Sequence, residues 1–236
     1  MGVNQIITPR WEWRSFGGVF DAIESLMSGP VRTTHEIYVL CESSETNVKI
    51  RDHVIEVKEL QRTLHGLELW TPVFKAPFPL GQESIRRVFE LWPLPPPSMA
   101  GAPYAELEFI TEVVSEVSGL HIIGLAKTRR QAIVDGCVIE SGAVNVAGRI
   151  VQTVAVEMED PDRVRRMVHE LKLDQFENVN YVNFLKHVLH LRMRPTAAAP
   201  PEGACHEEDS LPLVRPVGAL PGDPVAGAAS PGDSRR

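Results

Sequence analysis

The strongest constraint on this chain is a two-residue alternation that recurs in segment after segment and puts long charged side chains on the polar face. Arg10–Ser15 sets Trp11 and Trp13 against Arg10, Glu12 and Arg14. Val31–Cys41 sets Ile37 and Val39 against Arg32, Thr34, Glu36 and Tyr38. Asn47–Arg51 offers Lys49 and Arg51, and Val54–Lys58 offers Glu56 and Lys58. Leu120–Val134 carries Lys127, Arg129 and Gln131 two apart; Cys137–Val146 carries Glu140; Ile150–Glu159 carries Glu157 and Glu159 opposite Val154, Val156 and Met158. Successive side chains of a strand point to opposite faces, so each set predicts a strand with one apolar and one charged face. The turn signals between them, Glu42–Glu45, Arg51–His53 and Asp135-Gly136, suit hairpins.

Helical periodicity is rarer. Apolar residues recur at helical spacing in Gly17–Met27, Gln82–Trp92, Tyr104–Val117 and Tyr181–Leu191. Asp160-Pro161 reads as a capped helix start, followed by Val164, Met167, Val168 and Leu171. The segment 66–75 is an apolar run ending in Lys75, which suits an inward base or an edge residue equally. The Pro-rich stretch 93–103 breaks the chain between two halves of one domain, residues 5–192. Beyond it, residues 193–236 form a tail. From Pro195 onward 8 Pro, 5 Gly and 8 Ala fill half of 42 positions, too little apolar side chain to bury, so the tail should be disordered, with Cys205 and His206 solvated.

Composition excludes several classes. At 43% hydrophobic and 23% charged, the 236 residues can build a core. No apolar run is long enough to span a membrane, and the start lacks the basic-then-apolar order of a secretory signal. Three cysteines without CxxC spacing exclude a disulfide scaffold and a thiolate zinc site and fit the reducing cytoplasm. A net charge of −7 argues against duplex nucleic acid as a partner. A monomer and a homodimer are equally compatible with the sequence. No Walker-type loop and no GxSxG occur, and the histidines lack metal-ligand spacing.

Seven basic residues (Arg10, Arg14, Lys49, Arg51, Lys58, Lys127, Arg129) and six acidic ones (Glu12, Glu36, Glu56, Glu140, Glu157, Glu159) share the polar strand faces. On an open sheet they are a solvated surface. Closed inward they line a wet channel, since buried charges need partners or water. Such a channel suits a polyanion held by Lys and Arg, with carboxylates available to a hard divalent cation. Trp11 and Trp13 then belong to the outer wall.

In this order the segments resemble the CYTH domain of the triphosphate tunnel metalloenzyme superfamily, which includes class IV adenylyl cyclases, thiamine triphosphatases and inorganic triphosphatases. The similarity runs over about residues 8–185: the charged first strand, His35–Ser44, Asn47–Arg51, Lys58, Lys127-Thr-Arg129, the Asp135-Gly136 hairpin, Glu140, and Val156–Glu159 before a helix. It implies an α+β fold, an eight-stranded antiparallel β tunnel (a closed barrel) with flanking helices. It also implies Mg²⁺- or Mn²⁺-dependent hydrolysis of a triphosphate compound or polyphosphate. Arg14, Lys49, Arg51, Lys58, Lys127 and Arg129 match its phosphate-binding bases. Glu157, Glu159 and Glu12 match the metal side; Glu12, Glu140 and Lys58 are the catalytic candidates, with Glu140 or Glu12 positioning water. The first strand departs from the family's Glu-x-Glu-x-Lys: Arg10 stands at the first Glu, where a cation repels metal, and Arg14 stands at the Lys. Two rivals remain open: a non-catalytic polyphosphate-binding member that lost a metal site, and a class IV adenylyl cyclase.

Overall fold

The computed structural model describes residues 8–99 and 101–191. The expected tail, with Cys205 and His206, lies outside them. Eight strands, β1 (Arg10–Phe16), β2 (Arg32–Cys41), β3 (Asn47–Arg51), β4 (Val54–Leu64), β5 (Leu67–Pro77), β6 (Leu120–Val134), β7 (Cys137–Val146) and β8 (Arg149–Met158), close into an antiparallel barrel in the order β1-β5-β4-β3-β2-β6-β7-β8. Five helical segments surround it: α1 (Asp21–Glu24), α2 (Gln82–Leu91), α3 (Glu106–Glu108, running into a π-helical turn at Phe109–Val114), α4 (Pro161–Glu170) and α5 (Tyr181–Val188).

Tight hairpins build the runs β3–β5 and β6–β8, and the non-local pairs β1–β5, β1–β8 and β2–β6 close the barrel. At 52–53, 65–66, 135–136 and 147–148 both residues of the turn have positive φ, the left-handed pair whose twist matches that of the flanking strands. The alternation also pins register, because a one-residue slip would turn every charge outward. β5 is the strand the alternation does not reveal. Pro72 cannot donate to a ladder, and the β4–β5 pairing accommodates it with a register shift between Val57 and Lys58. Two expected helices shorten: Gly17–Met27 keeps one turn, and Tyr104–Val117 splits into α3 and its π turn. Their apolar stripes still bury, as Phe20, Ile23, Met27, Phe109 and Val113 show.

The apolar strand faces point outward and are covered by helices. Val39, Val48, Ile50, Ile55 and Val57 pack under α2 and the α3 segment. Trp11, Trp13, Ile139, Val154 and Val156 pack under α1 and α4, so both tryptophans are wall residues. α4 starts where its cap predicts, with the Asp160 carboxylate accepting from the Asp162 and Arg163 amides.

The third cluster lies on the inward faces. Tyr38, Leu40, Ile123, Leu125, Val144 and Val146 share strand faces with the lumen charges but pack against Tyr181, Val182, Phe184 and Leu185 of α5. α5 therefore stops one end of the barrel. Asn180 caps its first turn by accepting from the Asn183 amide, and Lys186 Nζ donates to the Ser44 carbonyl (2.8 Å) of the β2–β3 turn.

Candidate functional site

An eight-stranded barrel leaves an interior that side chains fill or that holds one small ligand. Here it retains a polar cavity of about 220 Å³ above the α5 stopper, lined by residues of β1–β8 and α5. Glu12, Arg14, Lys49, Arg51, Lys58, Lys127, Arg129, Glu140 and Glu157 all line it, joined by Glu36 and Glu56. Two expected members do not. β8 ends at Met158 and Glu159 is exposed, so it does not stand beside Glu157 in the lumen; Arg10, at the rim of β1, is exposed as well. Lys75, opposite Glu56 on β5, is exposed and outside the lining. Tyr181, Asn180 and Trp70 are lumen residues that the alternation does not identify. Trp70 sits on the unrecognised β5, and α5 reaches the interior only through tertiary insertion. A larger cavity of about 610 Å³ lies outside the barrel over Trp13, Leu67 and Val168; it does not share the lumen's charges.

Arg14 stands at the centre of the charge network. Its guanidinium lies 2.7 Å from Glu12 Oε1, 3.3 Å from Glu140 Oε1 and 3.6 Å from Glu157 Oε1, and 4.7 Å above the Tyr181 ring. Glu140 is the most heavily held carboxylate. Oε1 also meets Lys127 Nζ (2.6 Å), and Oε2 accepts from Arg129 (2.9 Å) and Gln131 (3.1 Å). Burial alone would raise its pKa, but Lys127, Arg14 and Arg129 outweigh it and hold the carboxyl well below the usual range. Glu36 is lowered against its own burial by Lys49, Lys127 and Arg51; it accepts from Arg51 (3.1 Å) and the Tyr38 hydroxyl (3.0 Å). Lys49 pairs with Glu56 at 3.1 Å.

Glu12 and Glu157 face each other across β1 and β8. Burial and the neighbouring Glu12 charge raise Glu157. Glu12 is lowered against burial by Arg14 and Lys58. Lys58 acts on Glu12, Glu56 and Glu157 through space and, among the described residues, closes no ion pair. Among the described residues four buried side-chain atoms lack a hydrogen-bond partner: Thr71 Oγ1 and Trp92 Nε1, whose residues do not line the lumen, and the Tyr181 hydroxyl and Arg129 Nε, whose residues do. Burial pushes the Tyr181 phenol up, so it keeps its proton and stays a donor.

The divalent cation implied by the resemblance does not fit this donor set. Among the described residues no group of three or more His, Cys, Asp or Glu is arranged to hold one. Glu68, opposite Glu12 on β5, has its oxygens taken by Asn180 (2.8 Å) and Trp70 (3.1 Å). Mg²⁺ is often held by only one or two carboxylates plus substrate phosphates, so oxygen counting alone does not decide. Charge does. The lining holds six cations (Arg14, Lys49, Arg51, Lys58, Lys127, Arg129) against five carboxylates (Glu12, Glu36, Glu56, Glu140, Glu157), and the guanidinium of Arg14 already pairs with Glu12 and Glu157, the two expected metal-side carboxylates that line the lumen, as well as with Glu140.

No protein-family profile matches the chain, and no curated protein matches it. Among solved structures it is similar to HpAC1 from Hippeastrum, a candidate adenylyl cyclase with a dominant triphosphatase activity (11% identity, 78% of this chain and 97% of the other, TM-score 0.46). It is also similar to a candidate adenylate cyclase from Bacillus halodurans (13%, 75% and 95%, 0.48) and to the PH1819 protein of Pyrococcus horikoshii (12%, 78% and 99%, 0.40). The closed eight-stranded barrel is the fold that the sequence resemblance implied. No helix among the described residues is long and apolar enough to cross a membrane.

Proposed function

We propose that this protein binds the polyphosphate part of a triphosphate compound, or the end of a short inorganic polyphosphate, inside the lumen. The observation that carries this reading is an excess of cations in a stopped barrel, whose lining also holds the unpartnered Tyr181 hydroxyl and Arg129 Nε and, among the described residues, a Lys58 that closes no ion pair. Buried donors without partners are uncommon, and a phosphate oxygen satisfies them. A cavity of about 220 Å³ equals roughly seven waters at 30 Å³ each. It takes a phosphate chain and leaves an organic half outside. Cys41 and Cys137 are buried free thiols, which supports a cytoplasmic setting.

Hydrolysis is the second reading, favoured by one feature. Glu157 is the carboxylate held least, with a single ion pair at 3.6 Å. It is therefore the freest to position water, while Arg14, Lys58 and Lys127 would offset charge on a transferred phosphoryl group. Isothermal titration of the full chain with sodium tripolyphosphate tests binding; heat of a saturable site is expected, and its absence would sink the proposal. A phosphate-release assay with tripolyphosphate, thiamine triphosphate and ATP tests hydrolysis: release abolished in Glu157→Gln supports it, and no release leaves a binding protein. Cyclic AMP formed from ATP would instead identify a cyclase.

A further inference from the structure

We infer that the lumen binds its anion without a divalent cation, because the buried Arg14 guanidinium supplies the positive charge that a metal would bring. This rests on the polyphosphate reading of the site and deepens it.

The placement of Arg14 is built rather than incidental. Its side chain is 4% exposed and Glu140's is 3% exposed, so their pairing is shielded from bulk water. Three carboxylates from three strands (Glu12 on β1, Glu140 on β7 and Glu157 on β8) converge on one guanidinium. The Tyr181 ring closes the fourth side from α5, and Arg14's own amide donates to the Asn178 side chain (2.7 Å). A guanidinium does not lose its proton, so the charge is permanent. Moving it aside for a metal would leave a buried cation without partners, which is strongly unfavourable.

Electrostatics gives the same answer. With six cations against five carboxylates, the lumen attracts an anion and repels a free dication. At the position two residues before Glu12, where a further carboxylate would strengthen a metal site, the chain has the exposed Arg10. Phosphate oxygens therefore meet protein cations directly: Lys58, Arg129 Nε and the Tyr181 hydroxyl have bonding capacity left, and Arg14 holds the carboxylates away from the anion.

The consequence has an unusual sign. Mg²⁺ in solution coordinates triphosphate and lowers its charge. If the lumen wants the bare anion, Mg²⁺ competes with the protein for the ligand instead of bridging the two.

Two measurements on the unmodified full chain test this. In the first, sodium tripolyphosphate is titrated calorimetrically in EDTA and again with Mg²⁺ in excess of ligand. Binding in EDTA that weakens roughly tenfold or more with Mg²⁺, as mass action on the free anion requires, supports the inference. Binding that appears only with Mg²⁺, or tightens with it, overturns the inference while leaving the polyphosphate site standing. No binding in either buffer overturns both. In the second, Mn²⁺ is added to the ligand-free protein and followed by electron paramagnetic resonance. An unchanged free-ion signal supports the inference; stoichiometric loss of that signal overturns it.

Discussion

The two ends of the barrel interior use the same strands and the same alternation to opposite effect. On β6, Ile123 and Leu125 face inward near α5, and Lys127 and Arg129 face inward two and four residues later. On β2 the change runs from Leu40 and Tyr38 to Glu36, and on β7 from Val146 and Val144 to Glu140. On β1, Phe16 stacks on Phe184 at 3.9 Å while Arg14 and Glu12 join the charged end. One end is thus a hydrophobic core with a helix in it, and the other is a largely buried charge network around a polar cavity. Period two fixes which face a side chain occupies; depth along the barrel fixes whether it meets α5 or water.

The comparison predicts that the ends fail differently. Arg14→Ala should do the most damage, because it strips the shared partner from Glu12, Glu140 and Glu157. Breaking a buried ion network from one side costs about 3–5 kcal/mol. Urea unfolding of this variant should show that loss, and a midpoint within error of wild type would mean the three carboxylates are solvated after all.

Leu185→Ala at the stopper should cost slightly less, about 2–4 kcal/mol from lost burial and cavity formation. Its tripolyphosphate affinity, measured well below the melting temperature, should match wild type. A parallel drop in affinity would show that the two ends are coupled rather than separate.

Lys58→Ala reverses the pattern. Since Lys58 closes no ion pair among the described residues and acts on Glu12, Glu56 and Glu157 only through space, stability should fall much less than in Arg14→Ala. Affinity for tripolyphosphate should fall roughly ten- to a hundredfold, the worth of one charged hydrogen bond at about 1.5–3 kcal/mol. Tyr181→Phe is the smallest change. Removing a buried hydroxyl without a partner should leave the melting temperature equal or slightly raised, and affinity should fall about fivefold, near 1 kcal/mol. An unchanged affinity would place the phosphate chain away from the floor of the lumen.

Much of this site was legible because its residues lie on self-declaring strands. Leu120–Val134 and Cys137–Val146 coincide with β6 and β7 end to end, and their turn is the Asp135-Gly136 pair. The inward direction of Lys49, Lys58, Lys127 and Glu140 follows from alternation alone once the sheet closes. Glu159 shows where periodicity misleads. It keeps the phase of Glu157, but the ladder has ended and the Asp160 cap turns the chain into α4. Phase has meaning only while backbone pairing continues. β5 was hidden for a related reason: Pro72 breaks the local signal, and only pairing with both β1 and β4 makes the segment a strand.

The sequence by itself determined the strands other than β5, the turns at 42–45, 51–53 and 135–136, and which residues of those strands share a face, since each depends on neighbours one to four positions away. Three features were decided only in three dimensions: the closure of the sheet, the insertion of α5 into one end, and the convergence of Glu12, Glu140 and Glu157 on Arg14. Each depends on groups more than a hundred residues apart, and buried charges take up whichever partners the barrel brings within reach.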